Sequence, residues 1–382
     1  MWPMRHLYRV ALLISTVIAS VDYLFAEDLS GPEFRIGVIA SLSGQGASRG
    51  ASAQAGLKLA MAELAQSSGT VAGKIRLIYQ DVPLNKASNG ITAFQHLSNI
   101  DGVCAIIGPM GSTVAAAVVP LADAQKVPLI VHTASASSIT KKKSYIFRLW
   151  PSSDQYAKVI IAKLKDLGWN RVGLITAEHE NTIDLAQSIR DRLLSHGSEG
   201  VTLSVDENIS PESADFRSVL TKINSRSIDG LFLNLFEGQI ALAARQARTL
   251  GIRVPFFTNA VMSKTELALA KPELEGIWFP RFSGSTSERL PALTALENVP
   301  SDPDCASAAH DALIVLESAL RSRGCDRIAI ADYIRSQSAF NGMSGTFHFV
   351  SGDATVPIDI YQVHKGNITT ASKRRAGARA SD

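Results

Sequence analysis

Residues 101–138 read DGVCAIIGPMGSTVAAAVVPLADAQKVPLIVHTASASS and contain two apolar runs on either side of a helical pattern. The runs predict strands at 103–107 and 127–132, and the apolar spacing between them predicts a helix over 114–125. Both strands are continuously apolar, which is typical of parallel strands covered on both faces. The stretch therefore indicates one strand–helix–strand unit of an α/β sheet.

The same alternation continues on both sides of this unit. Upstream, FRIGVIA at 34–40 predicts a strand, 51–65 a helix and 75–79 a second strand. Downstream of Pro151, helices separate four more strands, predicted at 171–176, 201–206, 230–234 and 254–258. We therefore predict an α/β fold of two similar lobes, each a mostly parallel sheet flanked by helices.

The C-terminal part departs from this alternation. After the second series we predict a strand at 277–282 and helices at 306–321 and 328–337. The runs GTFHF at 345–349 and IDIYQV at 358–363 then flank the turn SGDAT, which predicts a β-hairpin.

The chain has enough apolar material for about two domains. Its 382 residues are 46% hydrophobic and 19% charged, which fits neither a membrane protein nor a disordered chain. The formal net charge of +3 is small for this length, and the body shows no basic stripe with interleaved aromatics. We therefore expect no nucleic acid partner.

The first 26 residues have the pattern of a secretory signal peptide. Arg5 and Arg9 give a positive start, an apolar run covers 10–21, and Ala26 offers a small residue for cleavage. The run is too short to cross a bilayer core of roughly 30 Å comfortably, although an uncleaved anchor stays open as an alternative. We expect export to the periplasm, and a disordered basic tail at 369–382.

The three cysteines give no clear disulfide framework. Cys305 and Cys325 lie near the two ends of a helical pattern, and a helix rises about 1.5 Å per residue, so the two are too far apart to pair. Cys104 lies in an apolar strand. We therefore expect no structural disulfide and a buried free thiol at Cys104. The eight histidines show no metal-ligand spacing, so neither a metal nor another cofactor is expected.

Three predicted strand ends carry glycines and small hydroxyl residues. They are SLS at 41–43, GST at 111–113 and TAS at 133–135. Ligands of open parallel sheets bind outside the carboxyl ends of the strands, so these segments are expected to converge on one crevice. Ser112 and Thr113 could simply cap a helix. Together, however, the hydroxyls and the N–H groups of two helix starts suit a ligand carboxylate.

The loop GQGASRG at 44–50 admits a second interpretation, a dinucleotide-binding turn. Its spacing is GxGxxxG, and Asp81, the first acidic residue after the next strand, follows Gly50 by 31 residues. That separation exceeds the usual one of ~20. A turn that presents backbone donors to a smaller anion fits the loop better.

The sequence resembles the periplasmic binding proteins of the branched-chain amino acid type, which have a type I fold. The resemblance runs from about residue 34 to 367. Besides residues 101–138, it is carried in order by IGVIASLSGQGASRGASAQAGLKLAMAEL at 36–64, Asp81, YIFRLWPSSDQYA at 145–157, LGWNRVGLI at 167–175, FRSVLTKINSRSIDGLFL at 216–233, ARQARTLGI at 244–252 and GMSGTFHFVSGD at 342–353.

This resemblance implies two lobes that close on a ligand like a hinge. The lobes would be joined by three crossovers, near 148–152, 279–283 and 341–345. The first lobe would comprise 27–150 and 281–342, and the second lobe 151–280 and 343–368.

The resemblance also implies a set of ligand-binding residues. Ser112 matches the hydroxyl that holds the ligand carboxylate. The strand end that supplies backbone and hydroxyl contacts is matched by Thr133, Ala134 and Ser135. In the second lobe, Phe236 falls where the family places an aromatic residue against the ligand, and Asn181 falls in the loop where a Tyr-Gly pair is usual.

The sequence departs from the family at the position of the ligand ammonium. Ala260, beside Asn259, stands where amino-acid binders carry an acid, and Arg49 stands where a neutral or aromatic residue is common. A buried ammonium without a carboxylate costs several kcal/mol, so a binder lacking the acid should discriminate against amino acids. Glu180 or Glu237 could replace the acid. Otherwise the ligand is a carboxylate without the amine, a small amide, or a dianion that meets Arg49.

We expect the substrate-binding component of an ABC importer, a monomer that carries an amino acid, organic acid or amide to a membrane permease. A periplasmic ligand sensor of the same fold is the alternative. An enzyme is not expected. A hydrolase would have to bring His132, His179 or His310 to a serine, and the sequence has no GxSxG elbow.

Overall fold

The computed structural model describes residues 33–44, 46–195, 200–236, 238–262, 264–282, 290–294 and 300–370. The helices in these ranges are α1 (Ala47–Gln66), α2 (Ala87–Gln95), α3 (Ser112–Ala124), α4 (Ser153–Asp166), α5 (Glu180–Ser195), α6 (Arg217–Asn224), α7 (Gln239–Thr249), α8 (Lys264–Leu269), α9 (Leu290–Thr294), α10 (Pro303–Arg323) and α11 (Arg327–Ser336).

The strands are β1 (Phe34–Ala40), β2 (Ile75–Asp81), β3 (Ala105–Ile107), β4 (Leu129–Val131), β5 (Ile146–Arg148), β6 (Arg171–Ala177), β7 (Thr202–Ile209), β8 (Gly230–Asn234), β9 (Phe256–Thr258), β10 (Trp278–Phe282), β11 (Phe340–Gly342), β12 (Gly345–Phe347), β13 (Phe349–Val350), β14 (Asp353–Ala354), β15 (Ile358–His364) and β16 (Asn367–Thr370).

Two large sheets define two lobes. The first sheet has the order β13-β14-β5-β4-β3-β1-β2, and the second has the order β16-β15-β10-β9-β8-β6-β7. Neighbouring strands are parallel except at β13–β14 in the first sheet and at β10–β15 and β15–β16 in the second. The strands β11 and β12 form a separate antiparallel pair. The predicted fold class is therefore confirmed, and both lobes reverse their strand order at the first strand of the series.

The apolar strands of the first lobe bury both faces, as their composition predicts. Ile36 and Val38 of β1 pack on one face with α1 and α10, while Ile39 packs on the other face with α2 and α3. The helices α1 and α10 approach closely because Gly56 has no side chain: a Cβ there would lie 1.9 Å from the carbonyl oxygen of Ala306. This contact packs the middle of α1 against the first turn of α10.

The chain crosses between the lobes three times. It leaves the first sheet at the end of β5 and enters α4, whose buried face packs on the second sheet. It leaves the second sheet at the end of β10, and α9 and α10 then pack in the first lobe. The third crossing joins β14 of the first sheet to β15 of the second, at 355–357.

The predicted hairpin of 345–349 with 358–363 is wrong, and so is the predicted third crossover at 341–345. The residues 349–354 pair within the first sheet, so that the first lobe extends beyond the predicted boundary at 342. The cause is packing against β5, which is distant in the sequence. Phe349 lies edge-on against Phe147 with ring centroids 5.3 Å apart, and Asp353 pairs with the buried Arg148 of β5.

The expectation of no disulfide is also wrong. Cys104 and Cys325 form one, with Cα atoms 5.0 Å apart and a separation of 221 positions in the sequence. It joins the start of β3 to the turn after α10. Cys305, not Cys104, is the buried free thiol, and its Sγ donates to the carbonyl of Arg49 over 3.3 Å. The sequence separates Cys104 from Cys325, and only the fold brings the start of β3 next to the turn after α10.

Two expectations concern the ends of the chain. The proposed signal peptide at 1–26 lies outside the described residues. The tail predicted at 369–382 overlaps the last strand, since Thr369 pairs with Gln362, and residues beyond 370 lie outside the described part. Within the described ranges, no helix combines the length and the apolar character that a membrane span needs.

Candidate functional site

The three glycine and hydroxyl segments lie together at the carboxyl edge of the first sheet. The N–H of Gly111 donates to the carbonyl of Thr133 over 3.3 Å, and the N–H of Ser41 lies 3.5 Å from the sulfur of Met110. The segments that end β1, β3 and β4 are thus in direct contact. This edge lies where the strand order reverses, which is the usual ligand position in open α/β sheets.

Ser112 joins two of these segments. Its Oγ accepts a hydrogen bond from the N–H of Ala136 over 3.3 Å, and it opens α3 after the left-handed Gly111. The hydroxyl hydrogen of Ser112 therefore remains available to an anion at the start of α3. Ala134 is buried in the loop that follows β4. The carbonyl of Ser135 accepts from the N–H of Ser153, which opens α4 of the second lobe.

Arg49 lies in the first turns of α1, beside the same edge. Its Nε donates to Asp302 over 3.0 Å, and its guanidinium lies 5.7 Å from the centre of the Trp150 ring. Burial lowers the pKa of Arg49, but the nearby Asp302 carboxylate outweighs burial and raises it, so the side chain keeps its charge. Asp302 is also the N-cap of α10, accepting from the N–H of Cys305 over 3.0 Å.

Three polar groups at this edge have no hydrogen-bond partner among the described residues. They are both ring nitrogens of His132, the hydroxyl of Thr133 and the hydroxyl of Tyr156. His132 and Thr133 follow β4, and Tyr156 belongs to α4 of the second lobe. Buried polar groups are normally hydrogen-bonded. Three unpaired groups in one region are therefore a property expected of a ligand site.

The second lobe contacts the first through α5. Glu180 lies near Thr113, which follows Ser112 and whose hydroxyl acts to lower the pKa of the Glu180 carboxyl. Burial raises the pKa of Glu180, and Thr113 opposes that shift. One turn further along α5, Asp184 accepts from the backbone N–H and the hydroxyl of Ser137 over 2.9 and 3.1 Å. The start of α5 thus faces the start of α3 across the gap between the lobes.

The residues predicted in the second lobe divide into two groups. Asn181 lies half-buried beside Glu180, and Phe236 packs against His179 with ring centroids 4.4 Å apart. Asn259 serves the lobe itself: its Nδ2 donates to Asn234 and to the carbonyl of Leu235 over 3.0 and 2.9 Å. Because both of its donors are used, Asn259 can offer a ligand only its oxygen. Glu237 lies outside the described residues.

Sequence reasoning missed Tyr156, Asp184 and Asp302. Tyr156 stands in the segment YIFRLWPSSDQYA, which carries part of the family resemblance, yet nothing local marks its hydroxyl as unpaired. Asp184 and Asp302 become part of the site only through packing between distant segments. A short-range pattern does not contain that information.

The two alternative chemistries find no support in the geometry. His310 lies between Asp311 and Glu63, at 2.8 and 3.0 Å, rather than beside a serine. In the glycine loop, the N–H of Gly50 already bonds within α1, to Gly46 over 2.9 Å. A Cβ at Gly50 would lie 1.8 Å from the carbonyl oxygen of Ser41, so this glycine lets α1 pack on the strand end.

Two doubly wound lobes with a polar cleft between their sheet edges define a two-lobed binding protein. The chain belongs to the periplasmic binding protein family, whose profile matches residues 33–367. The predicted recognition is confirmed, and with it the general function of a substrate-binding protein.

Relatives and solved structures agree with this assignment. The chain is 25% identical over 370 residues to the Leu/Ile/Val-binding protein BraC3 of Rhizobium johnstonii, covering 94% of this chain and 98% of that one. The leucine binding protein LivK of Thermotoga maritima is 22% identical, with a TM-score of 0.76 over 88% of this chain and 97% of that chain. A solute binding protein from Rhodopseudomonas palustris HaA2, in complex with p-hydroxybenzoic acid, is 20% identical, with a TM-score of 0.77 over 88% and 95%.

Proposed function

We propose that this protein binds an α-amino acid between its lobes in the periplasm and delivers it to the permease of an ABC importer. The observation that carries the proposal is the docking of α5 on the first lobe, through hydrogen bonds from the backbone N–H and the hydroxyl of Ser137 to Asp184 at 2.9 and 3.1 Å. It brings an anion-binding helix start of the first lobe next to a carboxylate of the second lobe.

The carboxylate of the ligand would lie at the start of α3. There the hydroxyl of Ser112 and the first N–H groups of a helix of 13 residues offer donors. Helix N-termini favour anions because their first N–H groups have no partner within the helix and the helix dipole is positive at that end. Thr133 and Ser135 border the same place through the loop after β4.

The ammonium of the ligand would pair with Glu180. The usual acid is absent, since position 260 is an alanine. Burial raises the pKa of Glu180, which means that its charged form is destabilised in the structure without ligand. An ammonium next to it would remove that penalty, because an opposite charge stabilises the ionised carboxylate. Glu180 therefore takes the role that the sequence analysis left open between Glu180 and Glu237.

A carboxylate without an amine is the second candidate ligand. It is favoured by Ala260, which gives an ammonium no partner at the usual position, and by the fold shared with a protein that binds p-hydroxybenzoic acid. In that case Glu180 would stay near Thr113 when the ligand is present. The related Leu/Ile/Val-binding proteins favour the amino acid.

A thermal-shift panel on the chain from residue 27 tests the proposal. The panel holds leucine, valine, threonine and asparagine, the 2-oxo acids of the first two, and aromatic carboxylates. A ligand at 100 times its Kd adds about 2.7 kcal/mol of stability, which is easily seen. We expect Glu180→Gln to abolish the shift with amino acids, while Glu178→Gln, an exposed neighbour, leaves it unchanged.

The other outcomes are equally informative. Equal shifts with 2-oxo acids in the wild type and in Glu180→Gln would reject the ammonium role and favour the second candidate. No shift with any compound would count against import of these solutes and favour a sensor with another ligand.

A further inference from the structure

We propose that the part of the ligand distant from its carboxylate carries an uncharged hydrogen-bonding group, an amide or a hydroxyl, which binds His132 and Tyr156. This inference rests on the proposed function, because it assumes a small carboxylate or amino acid in the cleft. It goes further by assigning the class of side chain.

The first argument is that two buried polar side chains, one from each lobe, lack partners. His132 follows β4 and is 0% exposed, and neither ring nitrogen has a hydrogen bond within the described residues. Tyr156 of α4 is 3% exposed, and its hydroxyl is likewise unpaired there. Leaving such groups buried and unpaired has a free-energy cost. A ligand that satisfies both recovers that cost.

The second argument is that both groups lie near the same cation. The guanidinium of Arg49 acts electrostatically on His132 and on Tyr156, which places both side chains in its neighbourhood. Arg49 itself follows the glycine loop that ends β1. The unpaired groups therefore belong to one region of the cleft rather than to separate defects.

The third argument concerns charge. Arg49 pairs with Asp302 at 3.0 Å, and Arg281 pairs with Asp304. Two cations are thus matched by two anions, both from the N-terminal end of α10. Among the described residues, these two ion pairs leave no surplus charge beside Arg49 to attract a second carboxylate or a second ammonium. This favours a neutral group over the dianion that the sequence left open for Arg49.

The protonation states agree with a neutral group. Burial and Arg49 together lower the pKa of His132 to about 3, so the imidazole is neutral and offers one donor and one acceptor. Burial also raises the pKa of Tyr156, so its hydroxyl both donates and accepts. An amide or a hydroxyl matches such a pair, because each carries a donor and an acceptor. A methyl group in the same place would leave both side chains unsatisfied.

Isosteric ligand pairs test this inference by isothermal titration calorimetry on the mature chain. The pairs are valine and threonine, leucine and asparagine, and 4-methylbenzoate and 4-hydroxybenzoate. We expect at least tenfold tighter binding of the polar member of the pair that fits the cleft. Tyr156→Phe should weaken that member at least tenfold and leave the apolar member within twofold. The matched control is Tyr333→Phe in α11, which removes a hydroxyl that is hydrogen-bonded to Ser318 of α10 over 2.7 Å.

Three results would overturn the inference. Tighter binding of the apolar member by the wild type would reject it without any variant and leave the proposed function standing. An equal loss for both members in Tyr156→Phe would show that the hydroxyl has only a structural role. Binding of neither member of any pair would reject the proposed function together with this inference.

Discussion

Asp184 of the second lobe accepts two hydrogen bonds from Ser137 of the first lobe, one from the backbone N–H at 2.9 Å and one from the hydroxyl at 3.1 Å. The pair closes the cleft at α5, one helical turn from Glu180. A contact made only when the lobes are together stabilises the closed state over the open one. Ligand affinity should therefore depend on Asp184 even though it lies beyond the proposed ligand contacts.

Asp184→Ala should weaken ligand binding about tenfold. Hydrogen bonds to a charged group are worth about 1.5–3 kcal/mol, and a loss of ~1.4 kcal/mol corresponds to tenfold. The measurement is calorimetric Kd for whichever compound the panel identifies, with small-angle scattering of the free and bound forms. Asp191→Ala, on the same helix and bonded to Gln187, is the control. An unchanged Kd in Asp184→Ala would show that this contact does not stabilise the closed state.

The disulfide should be present in the exported protein and should add about 2–5 kcal/mol to the free energy of unfolding. It closes a long stretch of chain, since Cys104 and Cys325 are 221 positions apart in the sequence, and so restricts the unfolded state strongly. Alkylation of the denatured protein, followed by mass spectrometry, should add one label without reductant and three labels after reduction. Three labels in both conditions would contradict the pairing. Cys104→Ser/Cys325→Ser should match the reduced wild type in urea unfolding.

Asp353→Asn should destabilise the first lobe by about 3–5 kcal/mol, because it leaves Arg148 as a buried charge without its anion. Arg148 is 0% exposed, and its Nε and Nη2 lie 2.9 and 2.7 Å from Oδ1 of Asp353. Urea unfolding of this variant is compared with that of Asp166→Asn, which removes the exposed carboxylate that pairs with Lys163. Equal unfolding free energies for the two variants would mean that Arg148 is satisfied without Asp353.

The strands and helices could be predicted because their signals are local. A run such as VCAII is apolar over its whole length, and the change to a glycine turn marks its end. The prediction for the segment around Phe349 was wrong because its strand pairing depends on two residues that are distant in the sequence, Phe147 and Arg148. The prediction of no disulfide was wrong for the same reason, since nothing near Cys104 in the sequence indicates where Cys325 lies in the fold.

Only the part of the candidate site that lies in the first lobe could be predicted from the sequence. The strand-end segments of the first lobe follow from the rule that ligands bind at the carboxyl edge of a parallel sheet. The contribution of the second lobe depends on how the lobes meet, which places Glu180 near Thr113 and leaves the Tyr156 hydroxyl without a partner among the described residues. Asn259 is an example of the opposite kind. Its position in the sequence suggested a ligand contact, but its amide group donates to Asn234 and to the carbonyl of Leu235.

His310 makes the stability of the first lobe pH-dependent. Burial alone would lower its pKa, but hydrogen bonds to Asp311 and Glu63 outweigh burial and raise it from 6.5 to about 9. The protonated ring is thus bound more strongly in the folded state than in the unfolded state. Its contribution, on the order of 2–3 kcal/mol, is complete below pH 6.5 and is lost as the pH rises through about 9.

Urea unfolding at pH 6 and at pH 9.5 measures this effect. The wild type should lose stability between the two pH values. His310→Gln should be less stable than the wild type at pH 6, but its free energy of unfolding should change much less with pH. His96→Gln is the control, because His96 forms a surface pair with Asp101 and is about half exposed. Asp311 also accepts from the N–H groups of Met343 and Ser344, so Asp311→Asn should reduce the pH dependence to the part that Glu63 supplies and loosen that turn as well. An equal slope in the wild type and His310→Gln would assign the pH dependence to other groups.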